Sequence, residues 1–305
     1  EIYACPSDFV QLHPSGMAAL TTALQAIATI NPGQPTLQLG FPYVDVLKLP
    51  QVIFEGSELL LKTESSYLAA QLDQLRPAAV IVELPSNPML QCVDLPMVAK
   101  LAHARGIPVI ADDTIGSALN IDALPYADMV FSSLTKSFAG RGDILAGSLV
   151  INPKSTWKKL LIKSISTALA PLADADAIAL EEASRDVAKR IPLLNKACES
   201  LANQLSTHPA VARVLHPGQC ANFQALMRPG AGYGCLLSFE LKEGLEKSKR
   251  FYDALQVCKG PSLGTNFTLA CPYVLLAHYL ELNWAESCGL PAHLLRVSVG
   301  LEDPE

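Results

Sequence analysis

The stretch Ala127–Gly147 reads ADMVFSSLTKSFAGRGDILAG, and it places a lone lysine between a short apolar run and a glycine-bearing loop. The run Met129–Phe131 predicts a buried strand, and Lys136 comes just after its end. Burial disfavours the charged ammonium group, so a lysine at this place is suited to form a Schiff base as a neutral amine. Ser133 and Thr135 add hydroxyls that suit a phosphate. A surface lysine in a turn is the alternative, and the rest of the chain decides between the two.

The composition bounds the class of protein. The 305 residues are 50% hydrophobic, which is enough for a large core, and the length predicts two domains. The net charge is −6 and the basic residues form no long run, so we expect no nucleic-acid partner. No apolar run approaches the roughly 18 residues of a membrane span, so we expect no contact with a membrane.

Eight cysteines and six histidines are scattered along the sequence. They form no C-x-x-C pair and no metal-ligand spacing, which predicts free thiols in a reducing compartment, the cytoplasm, and no metal site. The opening Glu1–Tyr3 lacks the basic-then-apolar order of a signal peptide. Because the sequence does not begin with Met, we expect that an N-terminal part is missing.

Strand and helix patterns alternate before the lysine segment. Ala79–Glu83 (AVIVE) and Ile107–Ala111 (IPVIA) are continuous apolar runs, which are typical of strands in a parallel sheet. Asp94 predicts the start of a helix between them. Ala127–Ser133 and Ile144–Ile151 are further predicted strands. This alternation predicts an α/β fold with a mostly parallel sheet.

Polar residues come at or just past the ends of these predicted strands. They are Asn87, Asp112, Ser133 and Lys136. Ligands of parallel α/β sheets bind at the carboxyl ends of the strands, so we expect these four side chains to share one site.

The N-terminal part offers two more candidates. Ser15–Met17 predicts a helix start, whose free N–H groups suit a phosphate, although a plain N-cap is the alternative. Pro35–Leu39 and Gln51–Phe54 are predicted short strands, with Tyr43 in a Gly/Pro loop between them. Tyr43 suits stacking on a flat ring, and a half-buried anchor is the alternative.

The C-terminal part predicts a second, smaller α/β domain. Residues 154–205 have a helical pattern, and Leu294–Val299 predicts a last strand that contains Arg296. An arginine in an apolar strand is costly unless it meets an anion, and an edge-strand arginine that reaches solvent is the alternative. We therefore predict a cofactor-binding large domain at 1–155, a helical linker at 156–205 and a small domain at 206–305.

Together these groups describe one cofactor. A carboxylate such as Asp112 keeps a pyridine ring protonated, and Lys136 forms the imine. A helix start holds a phosphate, an aromatic side chain covers the ring, and Arg296 receives a substrate carboxylate. The combination predicts a pyridoxal-phosphate enzyme that acts on amino acids.

The motifs resemble those of the cystathionine γ-synthase family of pyridoxal-phosphate enzymes. The resemblance is carried by SSLTKSFAGRGDILAG (132–147), PSGMAA (14–19), ELPSNP (83–88), ADDT (111–114), SLG (262–264) and LRVSVGLED (295–303). ALEEASRD (179–186), GPSLGTNFTLACPY (260–273) and HYLELNW (278–284) resemble the fungal branch. The resemblance implies the aminotransferase-like fold type I.

The resemblance also implies a role for each candidate residue. Lys136 would carry the cofactor and move protons, Asp112 would pair with the ring nitrogen, and Tyr43 would stack on the ring and act as an acid or base. Arg296 and Ser262 would bind the substrate α-carboxylate. The remaining implied cofactor ligands are Ser15, Gly16, Met17, Asn87, Thr114, Ser133 and Thr135, of which Asn87 would also lie near the substrate carboxylate.

The implied reaction is γ-replacement on O-acyl-L-homoserine through a β,γ-unsaturated intermediate, with cysteine as the nucleophile. Three alternatives stay open: a carbon nucleophile in specialised metabolism, a γ- or β-lyase reaction on sulfur amino acids, and a catalytically silent scaffold subunit. The resemblance implies small amino-acid substrates and a homodimer or homotetramer with shared active sites.

The sequence departs from the family pattern at several places. Asp113 stands where the family usually has Asn, and Arg141 stands where it commonly has His. LEEASRD replaces an arginine-glycine-leucine segment. The arm that usually donates a Tyr and an Arg to a neighbouring subunit's phosphate site is not in this sequence, and relatives continue beyond the final LEDPE.

Overall fold

The computed structural model describes residues 2–166 and 171–302, which form two β-sheets with helices around them. The first sheet contains β1 (Val10–His13), β2 (Thr36–Leu39), β3 (Ser57–Leu60), β4 (Val80–Glu83), β5 (Val109–Asp112), β6 (Met129–Ser133) and β7 (Gly147–Ile151). The strand order is β1-β7-β6-β5-β4-β2-β3. This architecture confirms the α/β fold class.

The sheet is mostly parallel, as predicted. The strands β3, β2, β4, β5 and β6 run parallel, whereas β7 runs antiparallel to β6, and β1 antiparallel to β7. A parallel neighbour needs a crossover that carries the chain back along the sheet. Residues 134–146 hold turns without a helix, so the chain returns in the opposite direction and forms an antiparallel edge.

Helices cover both faces of this sheet. They are α1 (Gly16–Ile30), α2 (Val44–Ile53), α3 (Ser65–Leu75), α4 (Leu95–His103) and α5 (Lys158–Ile165). Val80 and Val82 belong to a core cluster with residues of α3 and α4, whereas Ile81 belongs to a cluster with residues of α1 and α5. Because each face of β4 is buried, every position of the strand is apolar until Glu83.

The second sheet has strands β8 (Val211–Leu215), β9 (Leu236–Leu241), β10 (Cys258–Lys259), β11 (Leu269–Cys271) and β12 (Leu295–Ser298). Their order is β10-β11-β12-β9-β8, and the β10–β11 pair is parallel while the other pairs are antiparallel. The remaining helices are α6 (Asp174–Ser184), α7 (Val187–Thr207), α8 (Ala221–Leu226), α9 (Gly244–Ala254), α10 (Tyr273–Ala277) and α11 (Leu282–Ser287). Cys198 and Ala202 of α7 pack against β9. The domain boundaries at 155 and 205 stay predictions.

The prediction of a strand at Gln51–Phe54 is wrong. Gln51–Phe54 is the end of α2 and its C-cap, and the strand that follows is Ser57–Leu60. The run of Val, Ile and Phe favoured a strand, but α2 buries Val46, Leu47 and Pro50 at helical spacing, and this packing decides the structure. Residues 167–170 of the predicted linker and Asp303 of the LRVSVGLED motif lie outside the described residues.

Residues 2–166 and 171–302 hold neither a helix that could cross a membrane nor a cluster of metal-ligating side chains. No helix in these ranges is long and apolar enough to cross a membrane. In the same residues, no group of three or more His, Cys, Asp or Glu side chains is arranged to hold a metal ion.

Candidate active site

Every candidate residue of the sequence analysis lines one cavity of about 610 Å³. It opens where β4, β5 and β6 end in Glu83, Asp112 and Ser133. The candidates that line it are Ser15, Gly16, Met17, Tyr43, Asn87, Asp112, Thr114, Ser133, Thr135, Lys136, Ser262 and Arg296. Asn87, Asp112, Ser133 and Lys136, which the strand ends predicted to lie together, thus line one cavity, and the roles of all twelve residues stay predictions.

Lys136 lies in a tight turn that follows β6. Its N–H donates to the carbonyl of Ser133 at 3.2 Å, and its own carbonyl accepts from Gly140 at 2.8 Å. The Lys136 Nζ donates to the Ser262 hydroxyl at 3.3 Å. Burial lowers the pKa of Lys136, and the positive charge of Arg296 lowers it further. The structure therefore gives this lysine the desolvated setting that the sequence predicted.

Asp112 is buried, with 4% of its surface exposed. Its Oδ1 accepts from the Thr114 N–H at 2.9 Å. Burial raises the pKa of Asp112 to about 6, against the hydrogen bonds from Thr114, which lower it. The Thr114 hydroxyl oxygen accepts from the Ser133 N–H at 2.8 Å. These bonds fix the ends of β5 and β6 relative to each other.

The start of α1 meets the end of β6. Ser15 is the N-cap, and its hydroxyl oxygen accepts from the Ala18 N–H at 3.1 Å. A Cβ on Gly16 would lie 2.7 Å from the Ser133 Cβ, so only glycine allows this approach. The close approach directs the N-terminus of a 15-residue helix, with its partial positive charge, into the cavity.

Thr135 is already engaged by the backbone. Its hydroxyl oxygen accepts from the Ala146 N–H at 3.1 Å and lies 3.3 Å from the Ala146 carbonyl, to which it donates. The Ser133 hydroxyl, in contrast, has no hydrogen-bond partner among the described residues. Of the two hydroxyls, Ser133 is therefore the more available to a ligand.

Tyr43 lies immediately before α2, at its N-cap. Its backbone N–H donates to Glu83 Oε2 at 2.8 Å, and its side chain is half-exposed. Burial of the ring raises the pKa of Tyr43 to about 12, with a further contribution from the Asp45 side chain. The phenol thus remains protonated at neutral pH.

Arg296 is 2% exposed, because β12 lies between β11 and β9 inside the second sheet. The alternative of an edge arginine that reaches solvent is therefore wrong. Nη1 donates to the Asn87 Oδ1 at 3.1 Å, and Nη2 donates to the carbonyls of Pro261 and Ser262, the latter at 3.1 Å. Within the described part of the chain, the Nε has no partner.

The sequence reasoning missed several residues that line the same cavity. Tyr273 places its ring 4.8 Å from the Arg296 guanidinium carbon, in a cation–π contact. Asp45 and Lys48 add charged side chains to the wall, and the carboxyl group of Glu83 also lines it. Glu83 carried a usable signal, because it is a carboxylate at the end of a buried strand, as Asp112 is. The sequence around Tyr273, which follows Pro272, contained no signal that could have placed this residue in the cavity.

The family model of the Cys/Met metabolism PLP-dependent enzymes matches residues 7–305. The chain belongs to this family.

Relatives within this Cys/Met metabolism family support the assignment. The chain is 39% identical to a cystathionine gamma-synthase of Neurospora crassa over 307 residues, which are 96% of this chain and 49% of the relative. It is 36% identical over 312 residues to a cystathionine gamma-synthase-like protein, ankD, of Aspergillus thermomutatus, with 97% and 54% covered. The chain thus spans about half the length of the curated relatives it matches.

A solved member of the family has the same fold. The cystathionine gamma synthase from Xanthomonas oryzae pv. oryzae, in complex with cystathionine, superposes with a TM-score of 0.86 at 26% identity. The comparison covers 97% of this chain and 78% of the other. The predicted fold type is thereby confirmed.

Pyridoxal phosphate, on which the Cys/Met metabolism family depends, fits the residues of the cavity. Arg296 holds a buried Nε without a partner, and Ser133 keeps a free hydroxyl beside the start of α1. Lys136 and Asp112 stand in the same space, one suited to an aldehyde carbon and the other to a pyridine nitrogen.

Proposed function

We propose that this chain catalyses γ-replacement on an O-acyl-L-homoserine, with cysteine as the nucleophile and cystathionine as the product. The observation that carries the proposal is Arg296, a buried guanidinium that lies across the cavity from Lys136 and is held by Asn87 and the 261–262 backbone. A buried arginine suits a substrate carboxylate, because bidentate pairing offsets the cost of its burial. Pyridoxal phosphate, when bound, supplies an electron sink for charge that develops at the substrate Cα.

The residues that hold this cofactor would act on its separate parts. The backbone N–H groups of Gly16 and Met17 and the Ser133 hydroxyl would hold the phosphate, with Thr135 behind them. Ser15, which caps the helix, and Thr114, which donates to Asp112, would complete the cofactor site, and their hydrogen bonds support these roles. Asp112, as a carboxylate, would pair with the ring nitrogen and keep it protonated. Tyr43 would cover one face of the ring.

Lys136 would move the protons of the reaction. The lowered pKa of its amine leaves a larger neutral fraction near pH 7, as a proton acceptor at the substrate Cα requires. Ser262, in contact with Nζ at 3.3 Å, would steer the amine and bind the substrate carboxylate together with Arg296. Asn87, which accepts from Arg296, would keep the guanidinium in the orientation that carboxylate pairing needs.

The first test is a product assay. The purified protein with pyridoxal phosphate, O-acetyl-L-homoserine and L-cysteine should form cystathionine, measured by mass spectrometry. Lys136→Ala should reduce the rate at least about 1,000-fold, because the covalent anchor and the proton carrier are both lost. Lys159→Ala, at an exposed lysine of α5, is the matched control and should keep the wild-type rate.

The same assay separates the alternatives. In a competition assay, the protein receives a β-keto acid and cysteine together. A product with a new carbon–carbon bond, formed in preference to cystathionine, would indicate a carbon nucleophile. Release of a 2-oxo acid without an added nucleophile indicates a lyase. No consumption of the acyl-homoserine with any nucleophile, by protein that binds the cofactor, would contradict the proposal.

We further propose a homodimer or homotetramer with shared active sites, small amino-acid substrates and a cytoplasmic location. The family membership supports the assembly, and the free cysteines agree with a reducing compartment. Sedimentation of the cofactor-loaded protein tests the assembly, and a single monomer boundary at micromolar concentration would contradict it.

A further inference from the structure

Glu83 is a buried carboxylate of the cavity that the reaction steps above do not use. It ends β4 beside Asp112, which ends β5, and the two residues are register partners. Only 5% of Glu83 is exposed. A second buried carboxylate next to the first is costly, so the fold must gain something from it.

One oxygen of Glu83 joins two separate loops. Oε2 accepts from the Tyr43 N–H at 2.8 Å and from the Asn87 N–H at 3.2 Å. Tyr43 begins α2, whereas Asn87 lies in the loop that follows β4, 40 or more positions further along the chain. Burial and the neighbouring Asp112 raise the pKa of Glu83 well above its usual value, which favours the neutral carboxyl. Its oxygen can still accept both bonds, and hydrogen bonds are stronger in a buried place than in water, so this oxygen fixes both backbones.

The connection continues to the arginine. The Asn87 side chain accepts from Arg296 Nη1 at 3.1 Å, so the order of contacts is Tyr43, Glu83, Asn87, Arg296. Glu83 therefore links the loop at one wall of the cavity to the guanidinium at another. Its second oxygen has no hydrogen-bond partner among residues 2–166 and 171–302.

Glu83 also lines a second, smaller cavity of about 220 Å³ behind the Phe41–Tyr43 loop. Packing holds one end of this loop, because Phe41 is buried in a hydrophobic cluster, whereas the Tyr43 side chain at the other end is exposed. The bond from the Tyr43 N–H to Glu83 therefore restrains the end of the loop that packing holds least.

We propose that Glu83 is a positioning residue that sets Tyr43 and the Asn87–Arg296 pair at a fixed spacing across the cavity. The inference rests on the proposed function, in which Tyr43 covers the cofactor ring and Arg296 binds the substrate carboxylate. Glu83 acts through backbone N–H groups and touches no reacting atom. Its removal should therefore weaken the cofactor site and the carboxylate site together.

The test measures two equilibrium constants for each variant. One is the dissociation constant of pyridoxal phosphate from the cofactor-free protein, by equilibrium dialysis. The other is the dissociation constant of L-2-aminobutyrate, which has no γ leaving group, from the loaded protein, by titration of the cofactor absorbance. Glu83→Ala should weaken each by roughly tenfold, the loss expected when a buried hydrogen bond that holds the site is removed. Glu83→Gln, whose amide oxygen accepts from the same N–H groups, should stay within about threefold.

Two further variants complete the design. Glu240→Ala removes a carboxylate of β9 that pairs with Arg213 and His293 outside the cavity, and it should change neither constant. Glu83→Asp keeps the carboxyl group but is too short to reach both N–H groups, so it should weaken the binding of both ligands even if the Ala variant does not fold. Wild-type constants for Glu83→Asp, or a loss in only one of the two sites, would overturn the proposal. A wild-type protein that binds both ligands but forms no cystathionine would refute the proposed function alone.

Discussion

Asp113 is a buried carboxyl group whose ionisation opposes folding as the pH rises. It is 1% exposed, and its Oδ2 accepts from the Tyr3 hydroxyl at 2.7 Å. Burial raises the pKa of Asp113 from 3.8 to about 7, although the bond from Tyr3 lowers it. Between these two values the folded protein keeps a proton that the unfolded chain has released. The free energy of unfolding therefore falls as the pH rises from about 4 to about 7.

The variant Asp113→Asn should lose this part of the pH dependence. Its amide does not ionise, and its oxygen still accepts from Tyr3. Relative to wild type, the variant should gain about 2–4 kcal/mol in unfolding free energy by pH 8, with a smaller gain at pH 5. Urea unfolding of the cofactor-free protein at pH 5, 6, 7 and 8 measures the difference. A difference that stays constant over this range would contradict the assignment.

The loop that contains Gly264 packs closely against the lysine turn. Gly264 has φ +74°, and a Cβ there would lie 2.3 Å from the Ser137 backbone nitrogen. Its N–H donates to the Ser298 hydroxyl at 2.7 Å, which ties the loop to β12. Ser262 in the same loop contacts Lys136, so the spacing between loop and turn depends on this glycine.

Gly264→Ala should therefore push the loop away from the lysine turn. We expect a loss of about 2–4 kcal/mol, from backbone strain and from overpacking together. Gly33→Ala is the matched control, because Gly33 has φ +71° but a Cβ there meets no atom within 4 Å. It should cost about 1 kcal/mol, the strain alone. Urea unfolding measures the free energy of unfolding of both variants. Equal losses would show that the close approach of Gly264 to Ser137 does not contribute to stability.

The sequence predicted correctly those strands that are buried on both faces, because every residue in them is apolar. AVIVE and IPVIA are apolar throughout because helices cover both faces of β4 and β5, and the polar residues at their ends predicted the cavity. The role of Glu83 was out of reach, since its partners are backbone N–H groups, which leave no trace in a side-chain pattern. Gln51–Phe54 was predicted wrongly, because a short β-branched run is compatible with a helix end once tertiary packing favours it.

At the scale of the whole molecule, α7 connects the two sheets through a buried arginine. Arg190 is 2% exposed, and its Nη2 donates to the carbonyls of Ser137 and Phe138 at 3.3 and 2.6 Å, just after Lys136. Its Nη1 pairs with Asp186, whose side chain is 62% exposed. The arginine therefore fixes the lysine turn against the helix that leads to the second sheet.

Arg190→Met should destabilise the protein by about 3 kcal/mol, because two carbonyls lose a charged donor in a buried place. Arg185→Met, on an exposed side chain that pairs with Glu181, should change the free energy of unfolding by less than about 0.5 kcal/mol. Chemical unfolding measures both variants. If Arg190→Met lost no more unfolding free energy than Arg185→Met, the Arg190 guanidinium would not be what holds the lysine turn against α7.

The bond between Asn87 and Arg296 spans 209 positions of the chain. On a ribosome that adds about 5–20 residues per second, the ELPSNP loop is made roughly 10–40 s before its guanidinium partner. During that interval the first sheet has most of its strands but no closed ligand site. The nascent chain must therefore keep this strand edge from wrong contacts by itself or with chaperones, and the wall of the cavity is complete only after β12, which carries Arg296, has been synthesised.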